Sequence, residues 1–301
     1  MSTIQVENIV KSFGSQRAVD GVNFEVNPGE IFGLLGPNGA GKTTTIRIIL
    51  DIFKPDSGNV AILGGPMTED KKNRIGYLPE ERGLYQEIKL EQCLVYLATL
   101  KGLSKAEANK RVSEYLERFD LADSRKKKLK ELSKGMQQKA QLIVTLVHEP
   151  EILIIDEPFS ALDPVNTQMV KDLLLEQRAK GRTIVLCTHQ MHQVEELCDR
   201  IVLIDKGKAM LYGDLNEIRR QYAGQDLILR TPTLLPATIP GVSSYLRTNG
   251  GYHLKLAAGT APQAVLAELV KENILVEQFE IAMPTMDEIF IRVVTGETPN
   301  E

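Results

Sequence analysis

One stretch constrains the fold of this chain more than any other: Gly36-Pro37-Asn38-Gly39-Ala40-Gly41-Lys42-Thr43, continued by Thr44. It fits G-x-x-x-x-G-K-[ST], the spacing of a phosphate-binding loop. The apolar run Ile31-Phe32-Gly33-Leu34-Leu35 precedes it, and Thr45-Ile46-Arg47-Ile48-Ile49-Leu50 follows. That context is a strand, a glycine loop and a helix. Glycines let successive backbone N–H groups turn inward around phosphate oxygens. The next helix begins at the loop, so its free N–H groups and positive dipole end face the same anion. Lys42 is then placed to reach the β- and γ-phosphates, and the Thr43 hydroxyl to hold Mg²⁺. The stretch reads as a nucleotide site.

The partner chemistry lies downstream. Ile152-Leu153-Ile154-Ile155-Asp156-Glu157-Pro158 puts two carboxylates directly after an apolar strand. In a parallel sheet, ligands gather at the carboxyl edge of the strands. Asp156 is expected to bind Mg²⁺, directly or through water, and Glu157 to polarise the attacking water. His189 follows the apolar strand 183–188 at the same edge; position alone leaves open a structural role and a meeting with the γ-phosphate. His148, His192 and His253 read as structural or surface residues. Leu132-Ser133-Lys134-Gly135-Met136-Gln137 is a serine cap and glycine opening a helix, which alone implies only a helix end.

Around these motifs, partial alternation in 4–10 and 22–26 predicts half-exposed antiparallel strands, with Phe13 on the turn between them. A turn at 55–58 precedes a strand at 59–63, and Pro79 ends a short strand begun at Ile75. From 86 to 120 apolar residues recur every three or four positions among charges, and 85–146 reads as a helical insertion. Continuously apolar strands at 152–155, 183–187 and 200–204 then alternate with helices, predicting a parallel sheet buried on both faces. Beyond about residue 225 the composition shifts to a small α+β unit. Its strands are expected at 242–248, 252–257 and 274–279, its hairpin turn at Asn249-Gly250-Gly251, its helices at 262–271 and 284–294, and its tail after Gly296 frayed.

Composition excludes some classes. With a net charge of −4, the chain has no bulk positive charge to hold nucleic acid. Its three cysteines, Cys93, Cys187 and Cys198, have no C-x-x-C spacing and read as buried thiols. No run approaches the roughly 18 apolar residues of a membrane span, and the N-terminus lacks a secretory pattern. The expected setting is cytoplasmic, with any membrane role exerted through a partner. The basic run Arg125-Lys126-Lys127-Lys128 reads as a solvated linking loop.

Together these residues resemble the ATP-binding subunit of an ABC transporter over roughly residues 3–220. Gly36–Thr44 is similar to the Walker A loop, Leu132–Gln137 to the signature motif and Ile152–Glu157 to Walker B. Ser160-Ala161-Leu162-Asp163 is similar to the D-loop, His189 to the switch histidine and Phe13 to the aromatic that stacks on adenine. The resemblance implies a P-loop NTPase with a RecA-like α/β core, an antiparallel β subdomain and a helical insertion over 1–225, followed by an accessory domain over 226–301. It also implies a head-to-tail homodimer enclosing two ATP molecules. Ser133 and Gly135 of one subunit would then face the loop of the other, and membrane permease subunits would use the closure to move cargo. Three positions depart from the pattern: Glu80 stands for the Q-loop glutamine, Lys134 for a glycine and Met136 for a glutamine. A carboxylate at Glu80 can still meet Mg²⁺, but it is expected to crowd Asp156 and Glu157. The segment 78–85 and the sequence Met286-Asp287-Glu288-Ile289-Phe290 resemble the ABC-2 export type. Alternative readings are a soluble ABC ATPase acting on ribosomes or DNA, and an ATP-sensing scaffold.

Overall fold

The computed structural model describes residues 2–296 apart from Arg82, Ala161, Gln225 and Asn249. The expectations placed on those four residues, and on the tail after Gly296, lie outside the described residues. The chain divides into two compact units, Met1–Leu215 and Asn216–Glu301.

The first unit opens with an antiparallel hairpin of β1 (Ile4–Phe13) and β2 (Gln16–Val26). β3 (Ile31–Leu35) leads into α1 (Lys42–Ile49), and β4 (Ser57–Ile62) returns to pair with β1 in the order β2-β1-β4. α2 (Glu69–Asn73) and β5 (Ile75–Leu78) precede the helical insertion of α3 (Leu90–Leu100), α4 (Lys105–Arg118) and α5 (Lys134–Leu146). β6 (Ile152–Asp156), α6 (Pro164–Ala179), β7 (Thr183–Thr188), α7 (Met191–Leu197), β8 (Arg200–Asp205) and β9 (Lys208–Asp214) complete the core.

The main sheet has the order β5-β6-β7-β3-β8-β9, parallel except for β9. Every residue of β3, β6 and β7 is buried, as a sheet covered on both faces requires. Ile4, Val6, Phe24 and Val26 of the hairpin and Ile46 and Ile49 of α1 share one core with Phe32, Ile154 and Val202. Each large aliphatic side chain so buried stabilises the fold by about 1.5–3 kcal/mol before conformational entropy is subtracted. In the insertion, Leu90, Cys93, Leu94 and Ala98 of α3 and Ala108, Val112 and Leu116 of α4 form the buried stripes that the periodicity predicts.

The second unit contains most of α8 (Leu215–Tyr222), then β10 (Asp226–Arg230), β11 (Val242–Thr248), β12 (Gly251–Leu256), α9 (Pro262–Lys271), β13 (Gln278–Ile281) and α10 (Met286–Thr295). Its sheet runs β11-β12-β10-β13, packed on Val265 and Leu269 of α9.

Several local expectations are corrected. Phe13 ends β1 instead of sitting on a turn, because pairing with β2 continues to Phe13 opposite Gln16. Ser57 and Gly58 belong to a strand, held opposite β1 with Ser57 facing Val10. The strand expected at 274–279 is shifted to 278–281, where Phe279 and Ile281 face Leu229 and Leu227 of β10; Ile274 instead fills the core from the connecting loop. Within the second unit α8 is tied forward: Arg219 Nε donates to the Pro284 carbonyl, and Arg292 Nη1 donates to the Tyr222 carbonyl.

Candidate nucleotide site

α1 is built to receive an anion. Gly41 precedes it in the left-handed conformation, no side chain caps it, and its first turn carries no acidic residue. By contrast, Thr68, Ser104, Ser133, Asp163 and Thr285 each cap their own helices with a side-chain oxygen. α3, α7 and α9 also lack a side-chain cap, but at α1 Lys42, Thr43 and Thr44 of the first turn line a cleft. Two loop glycines are fixed by the fold itself. A Cβ on Gly36 would lie 2.0 Å from the Ile204 carbonyl oxygen, and one on Gly41 would lie 2.3 Å from that of Ala18. The loop is also stitched to its surroundings: Gly207 N–H donates to Ala40 O, and Asp20 N–H donates to Gly207 O.

The resulting cleft measures about 440 Å³ and opens between the loop, β2 and the end of β6. Asn38, Gly39, Gly41, Lys42, Thr43 and Thr44 line its floor. Lys42 is buried and folded onto the loop, where its Nζ donates to the carbonyls of Gly36 (2.8 Å) and Pro37 (3.1 Å). Pro37 and Ala40 shape the loop through the Ala40 N–H bond to Pro37 O. Phe13 stands at the mouth, 48 % exposed, with one edge against Phe53 at 5.6 Å between ring centroids. Gln16 and Ala18 also line the cleft, which the sequence did not reveal because neither carries a motif.

Asp156 and Glu157 enter from the end of β6. β7 separates β6 from β3, yet the Thr43 hydroxyl still donates to Asp156 Oδ2 at 3.2 Å. Burial pushes the Asp156 carboxyl above its usual range and the Glu157 charge adds to the rise, while bonds from Cys187 and Thr43 and the charge of Lys42 oppose it. Glu80 lines the same cleft as Asp156 and Glu157, and burial is the largest cause of the Asp156 rise. Nearby, burial and Asp156 lift the Tyr77 phenol to about 12.

Glu157 has a positive φ of 49°, a conformation that costs a non-glycine residue energy and re-aims its side chain. Its carboxylate is almost completely buried and held at both oxygens. Oε1 accepts from the His189 backbone N–H at 3.0 Å and lies 2.6 Å from His189 Nδ1; Oε2 accepts from the Thr188 hydroxyl at 3.1 Å. His189 is thus brought to the carboxylate, while Thr188 was missed in the sequence. Its one signal was a polar residue closing an otherwise apolar strand.

Ser133 and Gly135 do not line this cleft. Ser133 Oγ accepts from Met136 N–H as the cap of α5, and a Cβ on Gly135 would meet nothing closer than Leu162 Cδ2 at 4.0 Å. Further along α5, Gln138 donates to Pro158 O at 3.4 Å and Gln141 donates to Glu81 O at 3.2 Å. In the basic run, Arg125 pairs with Glu91 and Glu117, and Lys128 pairs with Glu87.

Known proteins are similar to this chain in sequence and fold. Residues 19–160 match the family described as ABC transporter, and residues 213–294 match the C-terminal domain of DrrA1-3-like ATP-binding proteins. An ABC transporter ATP-binding protein of Bacillus subtilis, YhaQ, is 40% identical over 97% of this chain and 98% of its own length. The chain belongs to the ABC transporter ATP-binding proteins. These ATPases hydrolyse ATP to power transport, and the cleft at Gly36–Thr44 lies in their P-loop NTPase fold. The linearmycin resistance ATP-binding protein of the same organism is 32% identical over 98% of this chain and 99% of its own length. The Nod factor export ATP-binding protein I of Paraburkholderia xenovorans is 36% identical over 75% of this chain and 76% of its own length. Among solved structures, an ATP-binding subunit of an ABC transporter superposes with a TM-score of 0.69, at 35% identity over 73% of this chain and 93% of that one. A dimeric bacterial ABC transporter cassette gives 0.66, at 25% identity over 70% of this chain and 98% of that one. Among the described residues, no helix is long and apolar enough to cross a membrane.

Proposed function

We propose that this ABC ATPase works as a head-to-tail homodimer that encloses two ATP molecules and powers an export permease from the cytoplasmic face of the membrane. The observation that carries the reading is Gly135. It opens α5 away from its own cleft, with free space where a side chain would fit. Packing within the subunit gives no reason for glycine there, whereas close approach of a neighbour's phosphate does. The dimeric cassette among the structural relatives and the export ATP-binding protein among the sequence relatives support the same view.

In this mechanism Phe13 offers its exposed ring to adenine, and the loop from Gly36 to Thr44 surrounds the phosphates. Lys42 exchanges the Gly36 and Pro37 carbonyls for phosphate oxygens, a trade of dipoles for full charges. The oxygens of Thr43 and Asp156 suit a hard divalent cation, with Glu80 close enough in the cleft wall to contribute, and the raised Asp156 carboxyl is the kind a nearby cation would return to its charged form. Mg²⁺ held there would neutralise charge developing on the phosphates. Glu157 orients the attacking water and accepts its proton once Oε1 is released by His189. Ser133 and Gly135 of the facing subunit close the γ-phosphate side, so hydrolysis follows pairing and separation follows hydrolysis.

Purification of the full chain from detergent-solubilised membranes tests the partner. An integral membrane permease should accompany it, and recovery only with ribosomes or DNA would overturn the transport assembly.

A further inference from the structure

Thr188 is the last residue of β7, wholly buried, and sits in register with Leu35, the residue immediately before the phosphate-binding loop. Its hydroxyl makes two bonds whose directions are fixed by chemistry. The Gln190 backbone N–H can only donate, so the hydroxyl oxygen accepts it at 3.1 Å. The hydroxyl proton then remains for Oε2 of Glu157, also at 3.1 Å. Thr188 is β-branched and therefore stiff about its first side-chain torsion. It holds Glu157 from a central strand instead of from a loop.

The two carboxylate oxygens are consequently held in different ways. Oε1 is bound by the His189 backbone and by its ring, and the ring belongs to a side chain 52% exposed that can swing away. Oε2 is bound to a residue with no room to move. We propose that Thr188 is a positioning residue that locks Oε2, so the carboxylate keeps one plane while Oε1 passes from His189 to the attacking water. The proposal rests on the reading of Glu157 as the base for water. Without the hydroxyl, the carboxylate can rotate about its terminal torsion, and Oε2 loses its bond in a buried place. A misdirected base lowers the chemical step without touching the adenine or phosphate contacts.

The test compares Thr188→Val, Thr188→Ser and Glu157→Gln in the full chain. Steady-state ATPase kinetics, equilibrium binding of a fluorescent ATP analogue and melting temperature are measured for each. Thr188→Val should lose about 10- to 100-fold in kcat with KM and analogue affinity within about two-fold of the parent. Thr188→Ser, which keeps the hydroxyl, should return to within about three-fold of the parent kcat. If the valine variant is not recovered folded, Thr188→Ala is read in its place by the same criteria. Parent-like turnover in Thr188→Val with a dead Glu157→Gln would overturn the positioning role alone. So would a serine variant as impaired as the valine, or a parallel loss of kcat, affinity and melting temperature. Sustained turnover in Glu157→Gln would overturn the base assignment and the positioning role with it.

Discussion

His189 Nδ1 lies 2.6 Å from Oε1 of Glu157, the residue proposed as the base for water. An ionised carboxylate only accepts, so an imidazole that hydrogen-bonds to it donates from Nδ1. In the proposed mechanism this contact is exchanged for water at the same oxygen.

Glu157→Gln keeps the shape of the side chain and removes its basicity. ATP binding should persist while hydrolysis falls by about 10²–10⁴. With ATP present, size-exclusion chromatography with light scattering should find a species of twice the monomer mass. A monomer at every ATP concentration would remove the paired enclosure.

Two glycine-to-alanine changes should separate folding from pairing. Gly36→Ala drives a Cβ into the Ile204 carbonyl oxygen and should cost about 2–4 kcal/mol in urea denaturation, together with ATP binding. Gly135→Ala adds a methyl in open space within a helix. It should leave stability unchanged or raise it by about 0.5–1 kcal/mol while abolishing cooperative ATPase activity. A fully active Gly135→Ala protein would remove Gly135 from the partner's site.

Asp156→Asn takes a charge out of a buried position where burial and Glu157 disfavour it. The nucleotide-free protein should gain stability on the order of 1 kcal/mol at pH 7, although hydrolysis is lost. Calorimetry without nucleotide decides this, and a lower melting temperature would mean that the bonds from Thr43 and Cys187 outweigh desolvation.

His148 supplies a pH dependence away from the site. Burial lowers its pKa from 6.5 to about 4, and its Nε2 lies 3.2 Å from the Ile75 carbonyl oxygen. The unfolded chain binds a proton below about pH 6.5, but the folded chain does so only near pH 4. Stability should be full above pH 7, fall through this window and level off below pH 4, losing about 3 kcal/mol in all. Urea midpoints between pH 7.5 and about 4 should show this slope, and His148→Gln should remove it.

The site was readable where chemistry demands local spacing, and unreadable where it depends on strand register. Gly36–Thr44 and Asp156-Glu157 declare themselves through motifs flanked by apolar strands. Thr188 reaches Glu157 only because β6 and β7 pair with Asp156 opposite Cys187, which nothing within either strand encodes. The second unit shows the same limit. Leu227-Ile228-Leu229 is too short a run to announce β10, although it is the strand against which β12 and β13 align. Ile274 and Val276 looked strand-like because they are apolar, yet they serve the core from a loop.

The bonds that tie Ala40 to Gly207 and Gly207 to Asp20 have a thermodynamic consequence. A cradle held by bonds of its own fold loses less conformational entropy on binding than an untethered loop. The free energy released when the phosphates settle is then not consumed in shaping the loop. In the proposed assembly it remains available for mechanical work.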